Sequence, residues 1–215
     1  KRQAQELKAL GKDVVIGYIE PHDRPDTNSL LAGLPQIPLK EIQYKGITLT
    51  EPDIDAIIQQ QPAIVLIDEL AHTNAEGSRN RKRYQDIEEL LNAGIDVHTT
   101  VNVQHIESLN DIVEEVTGIE VKETVPDTFF QQATLKVIDV EPDELINRLA
   151  QGKIYANENA KRALQNFFIP KKLEQLRGLA IQRASDHINR ISGRTNGIPV
   201  SYTHLRAHET LRHLV

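Results

Sequence analysis

The sequence has no cysteine, no methionine and no tryptophan, and aromatic residues make up 4% of its 215 positions. Without cysteine there is no disulfide and no thiolate metal site, and the redox compartment cannot be read from cysteine usage. With so few aromatics, any core has to be built mainly from Ile, Leu and Val. No apolar run approaches the ~18 residues of a membrane-spanning helix, and Lys1-Arg2-Gln3-Ala4-Gln5 lacks the apolar stretch of a signal peptide. A basic excess is missing too. The formal charge is −6 and the pI about 5.8, which disfavours nucleic acid as a partner. Methionine is absent even at position 1, where helical spacing is already under way, so the sequence is expected to be a fragment.

What is present is an alternation of strand and helix patterns. Ala4, Leu7 and Leu10 before Gly11 predict a helix over 2–10, and 14–19 reads as a strand. A proline-rich loop follows, Glu20-Pro21-His22-Asp23-Arg24-Pro25, then a short helix capped by Asp26 or Thr27 and running through 31–34. Short strands over 37–49 turn at Lys45-Gly46. Thr50-Glu51-Pro52-Asp53 predicts a capped helix start with proline in the first turn, the helix ending near Gln60. Ile64-Val65-Leu66-Ile67, apolar throughout, is the pattern of a strand buried on both faces of a parallel sheet. A loop over 74–82 leads to a helix over 83–92 closed by Ala93-Gly94, then a strand over 95–103 and a helix over 106–117. Candidate strands at 121–125 and 135–140 precede helices from Pro142 to Gly152, over 160–168 and over 173–191. The order predicts an α/β fold with a doubly wound, mostly parallel sheet and a C-terminal helical extension.

The stretch 199–215 abandons this rhythm and carries His204, His208 and His213. Residues 201–210 resemble translated sequencing-adapter DNA, so 198–215 is expected to be a non-native tail. His208-Glu209-Thr210-Leu211-Arg212-His213 misses the HExxH spacing by one residue.

Polar clusters follow three of the predicted strands. Glu20, His22 and Arg24 follow the first, and Asp68, Glu69, His72, Thr73 and Asn74 follow the second. Thr99, Thr100, Asn102 and Gln104, with His105, end the third. Ligands of open α/β sheets bind beyond the carboxyl ends of the strands, so the clusters are expected to converge on one crevice. There Asp68 would hold Mg²⁺ through water, and Glu69 would orient or deprotonate an attacking water. Each cluster also has a plain alternative: a solvated strand end, a rigid surface turn, or a helix cap. His98 and His105 read as structural or solvent-facing. Arg79, Arg81, Lys82 and Arg83 form a basic run whose default is a solvated loop; otherwise one arginine reaches phosphate. Arg24, Arg79 and Arg81 are the phosphate-contact candidates. The glycine-rich loop GxxxxGK[ST] of phosphate-binding NTPases does not occur, and it is expected to precede residue 1. Asp68-Glu69-Leu70-Ala71-His72 has one residue too many for a DEAH box.

Several motifs in order are specific. They are 17–25 (Gly-Tyr-Ile-Glu-Pro-His-Asp-Arg-Pro), 67–74 (Ile-Asp-Glu-Leu-Ala-His-Thr-Asn), Gly77-Ser78-Arg79 and 102–110 (Asn-Val-Gln-His-Ile-Glu-Ser-Leu-Asn), continued by 123–127 and 163–168. Together they resemble the N-terminal cytoplasmic domain of the KdpD family, osmosensitive, potassium-responsive sensor histidine kinases of bacteria, over about 1–191. Pro21 and Asp23 depart from the Thr and Gly of the family pattern. The resemblance implies a P-loop-type regulatory domain over 1–168 that lacks its Walker A loop, and a helical linker over 169–197 toward a following domain.

It further implies ATP and Mg²⁺ as cofactors once the glycine-rich loop is present. Asp68 and Glu69 then handle Mg²⁺ and water, with His72, Thr73 and Asn74 as phosphate sensors. The parent would be a homodimer at the bacterial inner membrane, this segment lying on the cytoplasmic side without membrane contact. It would autophosphorylate a histidine outside this chain under potassium limitation or osmotic stress, and pass the phosphoryl group to a response regulator that controls a potassium-uptake ATPase. Partners of the segment are then the remaining domains and, through the kinase domain, that regulator. No residue here is a catalytic residue of the kinase. An autonomous P-loop NTPase or kinase, and a non-catalytic interaction domain of the same fold, are the alternatives. ATP turnover would mark the first, and an upstream loop without Lys and Ser/Thr the second.

Overall fold

Val14-Val15-Ile16-Gly17-Tyr18 and Ile64-Val65-Leu66-Ile67 carry no charged side chain, and both segments become strands that are buried along their whole length. The computed structural model describes residues 2–20, 31–150 and 168–194. These divide into two compact units, one ending at Val101 and the other beginning at Asn102.

In the first unit β1 (Val14–Tyr18), β4 (Ile64–Ile67) and β5 (Asp96–Thr99) form a parallel sheet in the order β1-β4-β5. Val14 lies opposite Ile64 and Ile16 opposite Leu66, while Ile67 lies opposite Thr99. Helix α1 (Arg2–Ala9) sets Ala4 against Val14, Ile16, Ile64 and Leu66, one face of the sheet. On the other face, α2 (Ile54–Gln60) approaches so closely that a Cβ on Gly17 would stand 2.8 Å from Val65 Cγ2 and 3.0 Å from Ile57 Cδ1. Gly17 therefore sets the helix-to-sheet distance. Beyond β1, Gln36 adds a single parallel bridge to Ile16.

The predicted turn at Lys45-Gly46 closes an antiparallel hairpin, β2 (Lys40–Tyr44) with β3 (Ile47–Glu51). Both turn residues have positive φ, +48° and +84°, as a two-residue hairpin turn requires. The start of α2 corrects the expectation in detail. Asp53 is the cap, its carboxylate accepting from the Ala56 amide at 3.1 Å, and Pro52 precedes the cap instead of entering the first turn. Glu51 belongs to β3. Helix α3 (Arg83–Asn92) follows the 74–82 loop as predicted.

The second unit departs further from the expectation. The strand predicted over 95–103 stops at Thr99, and the helix predicted from Ile106 begins only at Asn110. Between them lie two 3₁₀ turns, Val103–His105 and Glu107–Leu109. A parallel bridge between Ile106 and Val125 interrupts the helix, because the Glu107 amide bonds the Val125 carbonyl and the Val125 amide bonds the His105 carbonyl. Residues 121–125 and 135–140 are not strands; apart from that bridge they have no ladder partner among the described residues. Helices α4 (Asn110–Thr117), α5 (Pro142–Ala150) and α6 (Pro170–Arg194) complete the unit. Leu173, Leu176, Ala184 and His187 of α6 are buried. Arg177 reaches Asp139 through Nε and Nη2, both at 2.7 Å. The helix start at Asp26 or Thr27, the helix over 160–167 and the tail over 198–215 lie outside the described residues.

Candidate functional site

Strand β4 runs out at Asp68, where the apolar run gives way to two carboxylates. Its amide makes one more bond, to the Tyr18 carbonyl at 2.9 Å, and the chain then turns at Glu69, whose φ is +59°. The turn lets the Leu70 amide bond the Thr100 carbonyl at 3.0 Å, so the ends of β4 and β5 stay joined. Asp68 is 3% exposed, and its carboxylate accepts a hydrogen bond from the Thr100 hydroxyl. Residues of two predicted clusters thus meet at the carboxyl ends of adjacent parallel strands. Next to them, the Thr99 hydroxyl is buried and makes no hydrogen bond among the described residues.

The loop after Glu69 is built inward. His72 lies with Nε2 3.5 Å from Glu51 Oε1 and Nδ1 3.8 Å from Glu69 Oε2. The Lys82 ammonium donates to the Thr73 hydroxyl at 2.6 Å. Asn74 is buried; its amide donates to Asp86 at 2.6 Å and to the Asn80 carbonyl at 3.0 Å. Its oxygen accepts from Arg83 Nε at 3.2 Å. Arg79, a phosphate-contact candidate, is held instead between the carboxylates of Asp55 and Glu89. Arg81 is exposed. Glu20 accepts from the Tyr18 hydroxyl at 3.0 Å, and burial with this carboxylate raises the phenol's pKa. His22 and Arg24 lie outside the described residues. Asn102 and Gln104 belong to the second unit, where the Asn102 carbonyl caps a turn to the His105 amide and His105 Nδ1 lies 2.7 Å from the Glu123 carbonyl. His105 is half-buried.

The centre of the loop is a residue that sequence reading left in a solvated run. Arg83 is fully buried. Nη2 donates to Glu51 Oε2 at 2.6 Å and Nη1 to the Asp68 carbonyl at 3.2 Å, while the guanidinium lies 4.3 Å above the Tyr18 ring. A signal for it existed. Arg83, Asp86, Ile87 and Leu90 are spaced i, i+3, i+4, i+7, so the charged pair stands on the buried face of α3. Burial would push the Glu51 carboxyl up, but hydrogen bonds from His72 and the Ala75 amide, with the charge of Arg83, hold it below its ordinary range. For Asp86 burial dominates, and its pKa is raised despite the two asparagine donors.

The donors at the strand ends are hard oxygens: the carboxylates of Asp68 and Glu69 and the hydroxyls of Thr99 and Thr100. Among the described residues no group of three or more His, Cys, Asp or Glu is arranged to hold a metal ion. Hard oxygen donors of this kind suit a hard cation such as Mg²⁺ better than a soft one.

The family described as KdpD, osmosensitive K⁺ channel His kinase sensor domain, matches residues 2–188. Proteins named Sensor protein KdpD from Clostridium acetobutylicum and Escherichia coli are 58% and 53% identical to the chain over 189 and 188 residues. The match covers 87% of this chain and 21% of each of them. One from Mycobacterium tuberculosis is 45% identical over 177 residues, 82% of this chain and 21% of that protein. The chain thus spans about a fifth of the length of these curated relatives. No described helix is long and apolar enough to cross a membrane.

Proposed function

The chain belongs to the family of KdpD osmosensitive K⁺ channel histidine-kinase sensor domains, and from that premise we propose that it is the nucleotide-responsive regulatory module of a sensor histidine kinase. The observation that carries the proposal is the Asp68 carboxylate, buried at the carboxyl end of a central parallel strand and bonded by the Thr100 hydroxyl from the next strand end. In a P-loop-type doubly wound fold this is where an acid meets Mg²⁺ on a nucleotide. Mg²⁺ bound there would supply neutralisation of phosphate charge. Asp68 would hold Mg²⁺ through water, and Glu69, on the adjacent turn, would orient a water toward phosphate. Thr99 offers its unbonded hydroxyl as a further oxygen contact. His72 and Thr73 act as phosphate sensors, and Asn74 supports them by fixing the loop on Asp86 and Arg83. The reading assigns the phosphate cradle to a GxxxxGK[ST] loop that no stretch of this sequence contains.

In the whole protein this module conveys nucleotide occupancy to a dimeric kinase at the inner membrane. That kinase phosphorylates its own histidine and a response regulator governing potassium uptake. Calorimetric titration of Mg·ATP into the full-length protein, read as the binding event additional to that of the kinase domain's own ATP site, tests the site. Binding that weakens at least about tenfold in Asp68→Asn supports it. Absence of binding, or binding that Asp68→Asn leaves unchanged, removes it.

A further inference from the structure

Glu69 adopts φ +59°, a left-handed conformation that strains a residue with a Cβ. Such a conformation persists only where its surroundings over-determine it, and it is frequent where function needs a fixed geometry. The peptide joining Asp68 to Glu69 is gripped at its oxygen by Arg83 Nη1. Arg83 is fully buried, and a buried guanidinium is stable only when its charge is paired and its N–H groups are bonded. Glu51 supplies the charge, Asn74 accepts from Nε, and the Tyr18 ring covers the guanidinium face. One side chain therefore ties the last residues of β1 and β3 to the peptide joining Asp68, the proposed metal-site carboxylate, to Glu69, the proposed water-orienting one. No other cationic side chain suits this place, because a lysine has no planar fork to reach three acceptors at once.

We propose that Arg83 is a positioning residue for the Asp68-Glu69 turn, with Glu51 as the counter-ion that fixes it. The role rests on the Mg·ATP reading: Arg83 acts on the metal through the orientation of one peptide. Arg83→Lys keeps the charge and loses the fork. In the full-length protein it is expected to lower ATP affinity about tenfold when Mg²⁺ is present and to leave affinity in EDTA within about twofold. A general structural loss lowers both affinities together, and that outcome, or no loss at all, overturns the proposal.

Hydrogen exchange gives a second measure that needs no nucleotide. The Leu70 and His72 amides, bonded to the Thr100 and Glu69 carbonyls, are expected to exchange about tenfold faster in Arg83→Lys, with the Ile16 amide unchanged. Equal acceleration at all three, or none, overturns the positioning role. If Arg83→Lys does not fold, Glu51→Gln is expected to show the same local exchange ratio, and its failure to do so counts equally against the proposal. A wild-type protein that binds no Mg·ATP would end the nucleotide reading alone, since the exchange ratio still decides what Arg83 does.

Discussion

Replacing Arg83 by methionine removes the guanidinium and keeps an apolar stem of similar reach. Glu51, 5% exposed, would lose its guanidinium partner at 2.6 Å and stay buried with only the Ala75 amide and His72 against its charge, while Asn74 Oδ1 and the Asp68 carbonyl lose donors. Breaking one side of a buried ion pair costs about 3–5 kcal/mol. That is a large share of the ~5–15 kcal/mol that holds a domain together. Removing the stranded charge as well should restore much of the loss. In Arg83→Met/Glu51→Leu the buried charge is gone as well, and the Ala75 amide joins Asn74 Oδ1 and the Asp68 carbonyl, already without these donors in the single variant, adding about 1–3 kcal/mol. The single variant is therefore expected to be less stable than the double, with a coupling energy of about 2–3 kcal/mol in the mutant cycle. Equilibrium urea unfolding at neutral pH, compared at constant m-value, measures each corner. A double variant no more stable than the single one would refute the reasoning, as would an Arg83→Met cost under about 1 kcal/mol.

Gly17→Ala places a Cβ 2.8 Å from Val65 Cγ2 and 3.0 Å from Ile57 Cδ1, so it should destabilise by about 1–3 kcal/mol in urea unfolding, and an added Ile57→Val should recover part of this. Burial pushes the His98 imidazole below its ordinary value of 6.5. The unfolded chain then takes up the proton first, so stability is complete above 6.5 and declines as pH falls toward the lowered folded value. The urea midpoint should drop between about pH 7.5 and about pH 5.5, and His98→Gln should flatten that part of the profile.

Much of the first unit was legible in local chemistry. The apolar runs at 14–19 and 64–67 read as strands, the second covered on both faces, and Lys45-Gly46 as a turn between short strands. Asp68 next to such a run had to emerge at a strand end. The second unit was less legible because its elements depend on partners distant in sequence. Residues 135–140 are rich in apolar and β-branched side chains as a strand would be, yet no described strand pairs with them. The helix expected from Ile106 yields its first turn to a bridge with Val125, which local periodicity does not encode.

The candidate site divides along the same line. The sequence by itself determined that two carboxylates follow a buried parallel strand, since burial pattern and charge are properties of neighbouring residues. It also determined, through the ordered motifs, the family to which the chain belongs. Only the tertiary structure decided what those carboxylates stand on. Glu51 and Arg83 are 32 residues apart, and each looks like an ordinary surface charge in its own segment. Burying either one alone would be prohibitive, so their roles are set only when the fold brings them within 2.6 Å, out of reach of water.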